Sequence, residues 1–214
     1  MAQDETIDSL QPLLEQGCDK LEFNSSDTSA LFLQYIELLL KWNKTYNLTA
    51  IKEPEAILNR HVLDSLSALR FIEGQHCLDI GTGPGLPGLI LAIALPESQW
   101  TLLDSNQKKI RFLRHVKAEL GLSNVDVVHT RVESYKPVND FDTVICRAFA
   151  PLNRLLELSE HLITQNNQLL AMKGKQVKGE IDELENHQFL IQRHDLESTT
   201  DSAHASLLQI RRAE

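Results

Sequence analysis

The sequence has few cysteines and no long apolar run, and both shortages exclude whole classes of protein. Its three cysteines, Cys18, Cys77 and Cys146, are odd in number and scattered along 214 residues, which argues against a disulfide framework. No cluster of Cys and His has the spacing of metal ligands. No apolar run approaches the roughly 18 residues that a transmembrane helix needs, and residues 1–10 lack the pattern of a signal peptide. We therefore expect a cytoplasmic protein with no membrane segment and no metal.

Basic residues are also in short supply, with 21 Lys and Arg against 30 Asp and Glu and a net charge of -9. This balance argues against nucleic-acid binding, because neutralising phosphates usually requires a basic face. The bases are nevertheless clustered in three groups, which are Lys41, Lys44, Lys52 and Arg60, then Lys108, Lys109, Arg111, Arg114 and Lys117, then Lys173, Lys175 and Lys178. A charge run of this kind is most often a solvated helix face, and a local basic surface is the alternative interpretation.

The most informative stretch is a glycine-rich loop within residues 76–88. An apolar run before the loop predicts a buried parallel strand, and residues 89–95 predict a helix after it. The glycines of the loop are Gly81, Gly83, Gly85 and Gly88. Glycine lets the backbone approach a ligand closely, and a helix N-terminus offers unpaired N–H groups. The stretch therefore predicts a site for a nucleotide-like molecule.

Two carboxylates favour one ligand of this loop over another. The spacing of Gly83, Gly85 and Gly88 matches the dinucleotide fingerprint of dehydrogenases, which is a weak signal by itself. Asp79, two residues before the first glycine, would repel a pyrophosphate but can meet an amino group. Asp104 ends the next predicted strand, where it can accept hydrogen bonds from ribose hydroxyls. Together they favour S-adenosylmethionine, and a dehydrogenase-type nucleotide-binding module stays as an alternative.

Helices and strands are predicted in an order that gives an α/β fold. Residues 1–72 read as an N-terminal helical extension of three helices, around residues 7–14, 31–42 and 56–69. Residues 73–214 read as one domain of strands alternating with helices, which means a mostly parallel sheet covered on both faces. The predicted strands after the glycine loop lie near residues 99–103, 125–129, 142–146 and 168–172, and the predicted helices near 107–120, 152–163 and 175–185. Residues 189–194 and 206–211 predict an antiparallel edge at the C-terminal end of the sheet.

Eight short motifs, in order along residues 41–175, give the sequence a specific resemblance. They are Lys41-Trp42-Asn43-Lys44-x-Tyr46-Asn47-Leu48-Thr49, Arg60-His61-x-Leu63-Asp64-Ser65, Gly81-Thr82-Gly83-Pro84-Gly85-Leu86-Pro87-Gly88, Leu102-Leu103-Asp104-Ser105, Lys109-x-Arg111-Phe112-Leu113, Arg131-Val132-Glu133, Arg147-Ala148-Phe149-Ala150 and Lys173-Gly174. Together they resemble the bacterial small-subunit ribosomal RNA guanine-N7 methyltransferase family, also called glucose-inhibited division protein B.

The resemblance implies a fold, a cofactor and a substrate. It implies a class I methyltransferase sheet of the Rossmann-like type behind the helical extension, with S-adenosylmethionine as methyl donor bound by residues 73–214. The implied acceptor is a guanine in the decoding-region loop of 16S ribosomal RNA. The low basic charge of the chain favours RNA within a 30S particle or its precursor, and a monomer is favoured because nothing in the sequence demands a dimer. Carried over by position, the family's donor contacts fall on Gly81, Leu86, Val132, Glu133 and Arg147.

The residues after the fourth predicted strand bear on the chemistry. Methyltransferases of exocyclic amines carry an acidic or amide residue, two prolines and an aromatic there, whereas this chain has Cys146, Arg147, Ala148 and Phe149. We expect Cys146 to be an inert apolar residue rather than a nucleophile. Guanine N7 carries a free lone pair, so its methylation requires positioning and no general base. Phe149 is a candidate for stacking on the guanine.

Four polar residues of the helical extension are candidates for contact with the RNA. They are Asn47, His61, Asp64 and Ser65, which interrupt otherwise apolar helical segments. We expect them to form a wall facing the carboxyl edge of the sheet. A methyltransferase of the same fold that acts on a small molecule or a protein is the alternative function, and the acidic net charge favours it.

Overall fold

The computed structural model describes residues 7, 9–174, 177–182, 188–196 and 206–213. Its centre is a sheet of seven strands, β1 His76–Ile80, β2 Gln99–Asp104, β3 Val125–His129, β4 Thr143–Arg147, β5 Gln168–Lys173, β6 Phe189–Asp195 and β7 Ser206–Arg212. Their order across the sheet is β3-β2-β1-β4-β5-β7-β6. The first five strands pair in parallel, and β7 is antiparallel to both β5 and β6. This arrangement confirms the predicted α/β fold with an antiparallel C-terminal edge.

The helices come in two groups. Before the sheet lie α1 Gln11–Lys20, α2 Ser29–Tyr46, α3 Pro54–Ile57 and α4 Asp64–Leu66, and between the strands lie α5 Gly88–Ala94, α6 Gln107–Glu119, α7 Leu152–Ser159 and α8 Val177–Asp182. Short 3-10 turns cover Leu69–Phe71, Val132–Ser134 and Glu160–Leu162. The polar helix predicted over 175–185 is described only over the range of α8, and its other residues lie outside the described part.

A third helix predicted over residues 56–69 is divided in the structure. Between α3 and α4 the chain makes a turn of π-helix over Leu58–Leu63. A π-helical turn inserts an extra residue, so it rotates the side chains that follow it, and such turns are frequent at functional sites. His61 lies in this turn.

The core has two parts, one on each face of the sheet, because successive strand residues point in opposite directions. In β4, for example, Ile145 belongs to the first cluster, whereas Val144 and Cys146 belong to the second. The first cluster also contains residues of α1, α2, α5 and α6, including Phe32 and Phe112. The helical extension therefore shares a continuous apolar core with the sheet domain.

The extension also contacts the glycine loop directly. Tyr35 of α2 is fully buried, and its hydroxyl donates to the backbone carbonyl of Pro84 at 3.0 Å. Among the described helices, none combines the length and the apolar character that crossing a bilayer requires.

Candidate active site

The glycine loop joins β1 to α5 at the carboxyl edge of the sheet. Gly81 and Gly83 have φ angles of 68° and 62°, which L side chains rarely adopt. The N–H groups of Gly81 and Thr82 both donate to the carbonyl of Leu103 on β2, at 2.8 and 3.1 Å. The loop is therefore bonded to the end of the neighbouring strand, and its shape is fixed by the backbone.

A pocket of about 330 Å³ opens beside this loop, where parallel α/β sheets bind ligands. Five of the residues that the sequence singled out line it, which are Gly81, Asp104, Val132, Glu133 and Phe149. Further lining residues are Leu103, Ser105, Lys109, Arg131, Ala148 and Leu158. Of these, all but Leu158 belong to motifs quoted for the resemblance. Ser105 and Arg131 closely follow strand ends, and that position was the signal that could have identified them.

Three larger cavities lie on the helical extension. One, of about 630 Å³, has the carboxylates of Glu15, Asp19 and Glu22 in its lining. A second, of about 520 Å³, includes Lys41 and Lys44, and a third, of about 400 Å³, includes Arg70. None of them includes the end of a strand. The smaller pocket is the candidate active site, because it alone of the four combines the glycine loop with strand-end carboxylates.

Asp104 anchors the loop from the end of β2. Its Oδ2 accepts from the N–H of Gly83 at 2.9 Å, and its Oδ1 accepts from the N–H of Asn106 at 2.7 Å. The Lys109 ammonium lies 3.6 Å from Oδ2. Because an ionised carboxylate has about four acceptor positions, Asp104 can hold the loop and still accept from a hydroxyl in the pocket.

Asp79 does not stand beside the pocket, which corrects the expectation that it meets a ligand's amino group. It is fully buried beneath the loop, and its Oδ2 accepts from the N–H of Gly88 at 2.7 Å. Its Oδ1 has no hydrogen-bond partner among the described residues, and burial raises the pKa of this carboxyl to about 7. A side chain on Gly88 would collide with Asp79 and Leu102, so this glycine serves close packing.

Gly85 and Leu86 also face the core instead of the pocket. A Cβ on Gly85 would meet side chains of Leu89 and Leu113, and Leu86 is buried in the first core cluster before a cis peptide bond to Pro87. A Cβ on Gly83 would make only ordinary contacts, the nearest with the Lys109 ammonium at 3.7 Å. The Leu86 side chain and the absence of a side chain at Gly85 therefore serve packing, and any donor contact at these two positions would come from backbone atoms.

Arg147 joins the sheet to the helical extension. It ends β4, and its guanidinium donates from Nη1 to the carbonyl of Arg60 and from Nη2 to Nδ1 of His61, both at 3.0 Å. The two partners precede it by more than 80 residues in the sequence. The carboxyl edge of β4 is thus tied to the π-helical turn.

Both ring nitrogens of His61 have partners. Nδ1 lies 3.0 Å from Nη2 of Arg147, which can only donate, and 3.0 Å from the carbonyl oxygen of Arg60, which can only accept. Nε2 lies 2.8 Å from the hydroxyl oxygen of Thr49, which can donate or accept. Burial, with the nearby charge of Arg147, lowers the pKa of His61 to about 4. His61 is consequently neutral at physiological pH, with both ring nitrogens engaged.

The other extension candidates have different surroundings. Asn47 is exposed and ends α2 in the left-handed conformation, at φ 49°. Burial raises the pKa of the Asp64 carboxyl, and the positive charge of Arg147 opposes that shift. Ser65 is fully buried and its hydroxyl donates to the carbonyl of His61, so it does not face the pocket as expected. Sequence reasoning missed Asn43, whose buried amide holds the segment that carries Thr49.

The segment after β4 is bent sharply and held in place. Ala148 has a φ of 49°, which turns Phe149 against Gly81 at the wall of the pocket. The Lys173 ammonium donates to the carbonyl of Ala150 at 2.6 Å and pairs with Glu180 at 2.7 Å. Lys173, which the resemblance quoted without a role, thereby fixes the segment that presents Phe149.

Comparisons with known proteins identify the family. The family model GidB, described as rRNA small subunit methyltransferase G, matches residues 28–208. The chain belongs to this family. Three relatives are named ribosomal RNA small subunit methyltransferase G. That of Legionella pneumophila (strain Philadelphia 1) is 49% identical over 166 residues, which are 78% of this chain and 79% of the relative. Those of Hydrogenovibrio crunogenus and Psychromonas ingrahamii are 46% and 41% identical over 85% and 96% of this chain, and 84% and 98% of theirs.

Solved structures support the fold of this GidB family member. Magnesium protoporphyrin IX methyltransferase from Synechocystis PCC 6803, solved with bound SAM, has a TM-score of 0.60 and 14% identity, over 84% of this chain and 97% of that one. Precorrin-6y C5,15-methyltransferase from Geobacter metallireducens has a TM-score of 0.53 and 14% identity, over 79% and 92%. These similarities show the class I methyltransferase fold, and the family match confirms the resemblance.

Cys146 has the inert surroundings that were expected. It is buried on β4 in the second core cluster, and burial raises the pKa of its thiol to about 12. A thiol protonated at physiological pH is a poor nucleophile. Within the described residues, no group of three or more His, Cys, Asp and Glu side chains is arranged to hold a metal ion.

Proposed function

We propose that this GidB family member transfers a methyl group from S-adenosylmethionine to N7 of a guanine in the decoding-region loop of 16S ribosomal RNA. The observation that carries the proposal is the family match, which spans residues 28–208 and so includes most of the extension as well as the sheet. The pocket at the carboxyl edge of the sheet agrees with it, since open α/β sheets bind their ligands at that edge.

The residues around the pocket suit this donor. Gly81 lets the loop backbone and the Phe149 ring lie in close contact at the pocket wall, where a Cβ would collide with the ring. Asp104 has spare acceptor positions for ribose hydroxyls, and Glu133 is an exposed acceptor for an adenine amino group. We assign Arg147, the cation at the end of β4, to the carboxylate of the donor. When bound, S-adenosylmethionine supplies an electrophilic methyl group attached to a sulfonium.

The protein's part in the reaction is to position the two reactants and exclude water. N7 of guanine has a lone pair and no proton, so no base has to remove one. His61 agrees with this, because both of its ring nitrogens are already bonded to Arg147 and Thr49. Positioning alone supplies up to about 7–11 kcal/mol in favourable cases.

The direction of charge change also matters. Positive charge develops on the guanine as the sulfur loses its own, so a free cation next to N7 would oppose the transfer. The contacts of Arg147 with Arg60 and His61 hold its guanidinium at the junction with the extension. Phe149 offers a flat apolar face at the pocket wall, where it can contact the donor or the target base.

The test is methyl transfer from labelled S-adenosylmethionine to naked 16S ribosomal RNA and to 30S subunits from a strain that lacks the enzyme. The methylated position is mapped by N7-specific cleavage, and 30S subunits from the parent strain serve as the already methylated control. We expect one cleavage, at a decoding-loop guanine, and none of the new label in the control. Donor binding without any transfer to either RNA would overturn the substrate assignment.

The form of the RNA substrate follows from the charge. The net charge of -9 limits binding to isolated RNA, so we propose that the 30S particle or a precursor is the preferred substrate. In the same assay, 30S subunits are expected to give a higher kcat/KM than naked RNA. Equal or better use of naked 16S RNA would contradict this part of the proposal.

A further inference from the structure

One face of α6 is basic in a protein that is otherwise acidic. The helix carries five cations and one acid over Gln107–Glu119. Lys109 lies 3.6 Å from Asp104 and Lys117 lies 3.5 Å from Asp126, so two of the cations have carboxylate partners. The other three, Lys108, Arg111 and Arg114, are exposed, and their side chains have no ion pair among the described residues. We call these three the α6 basic face.

The α6 basic face does not stabilise its own helix. The N-terminus of a helix carries the positive end of the dipole, which favours acids there, yet the first turn of α6 has no acid and begins with Lys108 and Lys109. An exposed helix stabilised by its charges has opposite charges three or four positions apart. Within the helix, those positions around the three residues hold neutral or basic side chains. Charge pairing along the helix therefore does not account for the three cations.

The position of α6 links this face to the candidate active site. The helix begins three residues after Asp104, and Ser105 and Lys109 already line the pocket. Lys108 is next to Lys109, and the following members of the face occur at every third residue, about 4.5 Å further along the helix axis each time. The face therefore starts at the rim of the pocket and continues away from it.

Aromatic side chains border the face on the side of the helical extension. Trp42 of α2 packs on His115 of α6 at 5.2 Å between ring centroids and stacks with Tyr46 at 5.1 Å. All three rings are half-buried. His115 follows Arg111 by four residues, so the rings and the cations adjoin. Cations beside partly exposed aromatic rings are typical of surfaces that contact single-stranded nucleic acid.

We propose that the α6 basic face binds the phosphate backbone of the ribosomal RNA beside the target guanine. The inference rests on the proposed function, because it takes the RNA substrate from there. Exposed arginines suit phosphate groups, since a guanidinium presents two parallel N–H donors to two oxygens. The surface also explains how a protein with a net charge of -9 holds RNA, because the binding charge is concentrated next to the pocket.

The test compares two triple variants with equal charge. One is Lys108→Ala with Arg111→Ala and Arg114→Ala, and the control removes three cations elsewhere, by Lys20→Ala, Arg70→Ala and Arg193→Ala. Methyl transfer to 30S subunits is measured across a series of salt concentrations, and donor affinity is measured by calorimetry without RNA. We expect the α6 variant to raise KM for 30S about tenfold and to reduce the slope of log kcat/KM against log salt by about 2–3. Donor affinity is expected to stay within about twofold of the wild type, because none of the three residues lines the pocket.

A charge-preserving variant separates charge from shape. Arg111→Lys with Arg114→Lys is expected to keep the KM for 30S and the salt slope close to their wild-type values. Circular dichroism checks that every variant folds. If the α6 variant matches the control triple in KM and salt slope, the α6 basic face does not bind RNA, even though wild-type methylation would still support the proposed function. If the wild-type enzyme methylates no RNA, the proposed function itself fails.

Discussion

At Gly81 the pocket wall has no space for an added Cβ atom. An alanine there would overlap the ring of Phe149, and its φ of 68° would be strained as well. We expect Gly81→Ala to weaken binding of S-adenosylmethionine by about tenfold or more, because either Phe149 or the loop must shift. Isothermal titration calorimetry of the folded variant checks this.

Gly121 offers a matched control for that substitution. Its φ of 66° is almost the same, but no atom of the described residues lies within 4 Å of its Cβ position. Gly121→Ala is therefore expected to cost about 1–2 kcal/mol of stability through backbone strain and to leave donor binding unchanged. If both variants lost donor affinity equally, the contact with Phe149 would not be the cause.

His61 makes stability depend on pH in a defined direction. Its pKa is about 4 in the folded chain, against an ordinary value of 6.5, so the unfolded chain takes up the proton first as the pH falls. The stability that neutral His61 provides is complete above pH 6.5 and decreases as the pH falls towards 4. From about pH 7.5 to about pH 5, the expected loss is about 2 kcal/mol.

The variant His61→Gln isolates this contribution, because glutamine does not titrate. Urea unfolding of both proteins at the two pH values gives the difference, while every other titrating group, including Asp79 with its pKa of about 7, is common to both. We expect the wild type to lose more stability than the variant on acidification. The same loss in both proteins would show that His61 is not held neutral.

For single residues, the sequence predicted the positions of side chains at strand ends better than those of side chains buried beneath the loop. Asp104, Val132 and Glu133 follow strand ends, and all three line the pocket. Asp79 was misplaced because its burial under Gly88 depends on how α5 packs onto the loop. The contact between His61 and Arg147 joins residues 86 positions apart, a distance over which no local pattern gives information.

At the scale of elements, the segment after α2 depends on one buried amide. The side-chain amide of Asn43 donates to the carbonyl of Thr49 and accepts from its N–H, both at 2.9 Å. Asn43→Ala would leave these backbone groups without partners, so we expect it to lower the free energy of unfolding by about 2 kcal/mol. Urea unfolding in the absence of S-adenosylmethionine measures this free energy.

A nearby surface position on the same helix provides the comparison. Thr45 is exposed on α2, and Thr45→Ala is expected to change stability by less than about 0.5 kcal/mol. Methyl transfer by the Asn43→Ala protein is also expected to fall, because Thr49 holds His61, which in turn contacts Arg147. Unchanged stability in Asn43→Ala would mean that water replaces the amide.

Helices and strands were predicted correctly where the apolar periodicity of the sequence is strong. They were missed where tertiary packing determines the local structure. The sequence located α6 and every strand to within one or two residues, because apolar spacing sets them. It gave one continuous helix over 56–69, since a π-helical turn such as Leu58–Leu63 has no distinct apolar period. It predicted an antiparallel edge but could not place β7 between β5 and β6, because both orders bury similar strands.

For the whole molecule, the shared core has a consequence for unfolding. Trp42 lies in the extension and Trp100 lies in β2, and both contact the first core cluster. We expect the chain to unfold in a single transition, because separating the two parts would expose that cluster. Single-tryptophan variants, Trp42→Phe and Trp100→Phe, report the two parts separately by fluorescence in urea.

Within each variant, the fluorescence transition is compared with far-ultraviolet circular dichroism. Coincident midpoints are expected in both. A transition of Trp42 at lower urea than the circular dichroism of the same protein would show that residues 1–72 unfold on their own. It would then support the division into an extension and a sheet domain that the sequence suggested.

The order of the last strands determines which part of the sheet can form first during synthesis. β6 precedes β7 in the chain, but β7 lies between β5 and β6, so β6 has no neighbour other than β7 among the described strands. While the chain is being synthesised, β6 therefore emerges before the strand that must hold it, and β5 keeps an open edge in the meantime. The five parallel strands and the pocket beside them can form first. The sheet is complete only after residues 206–212 have been synthesised.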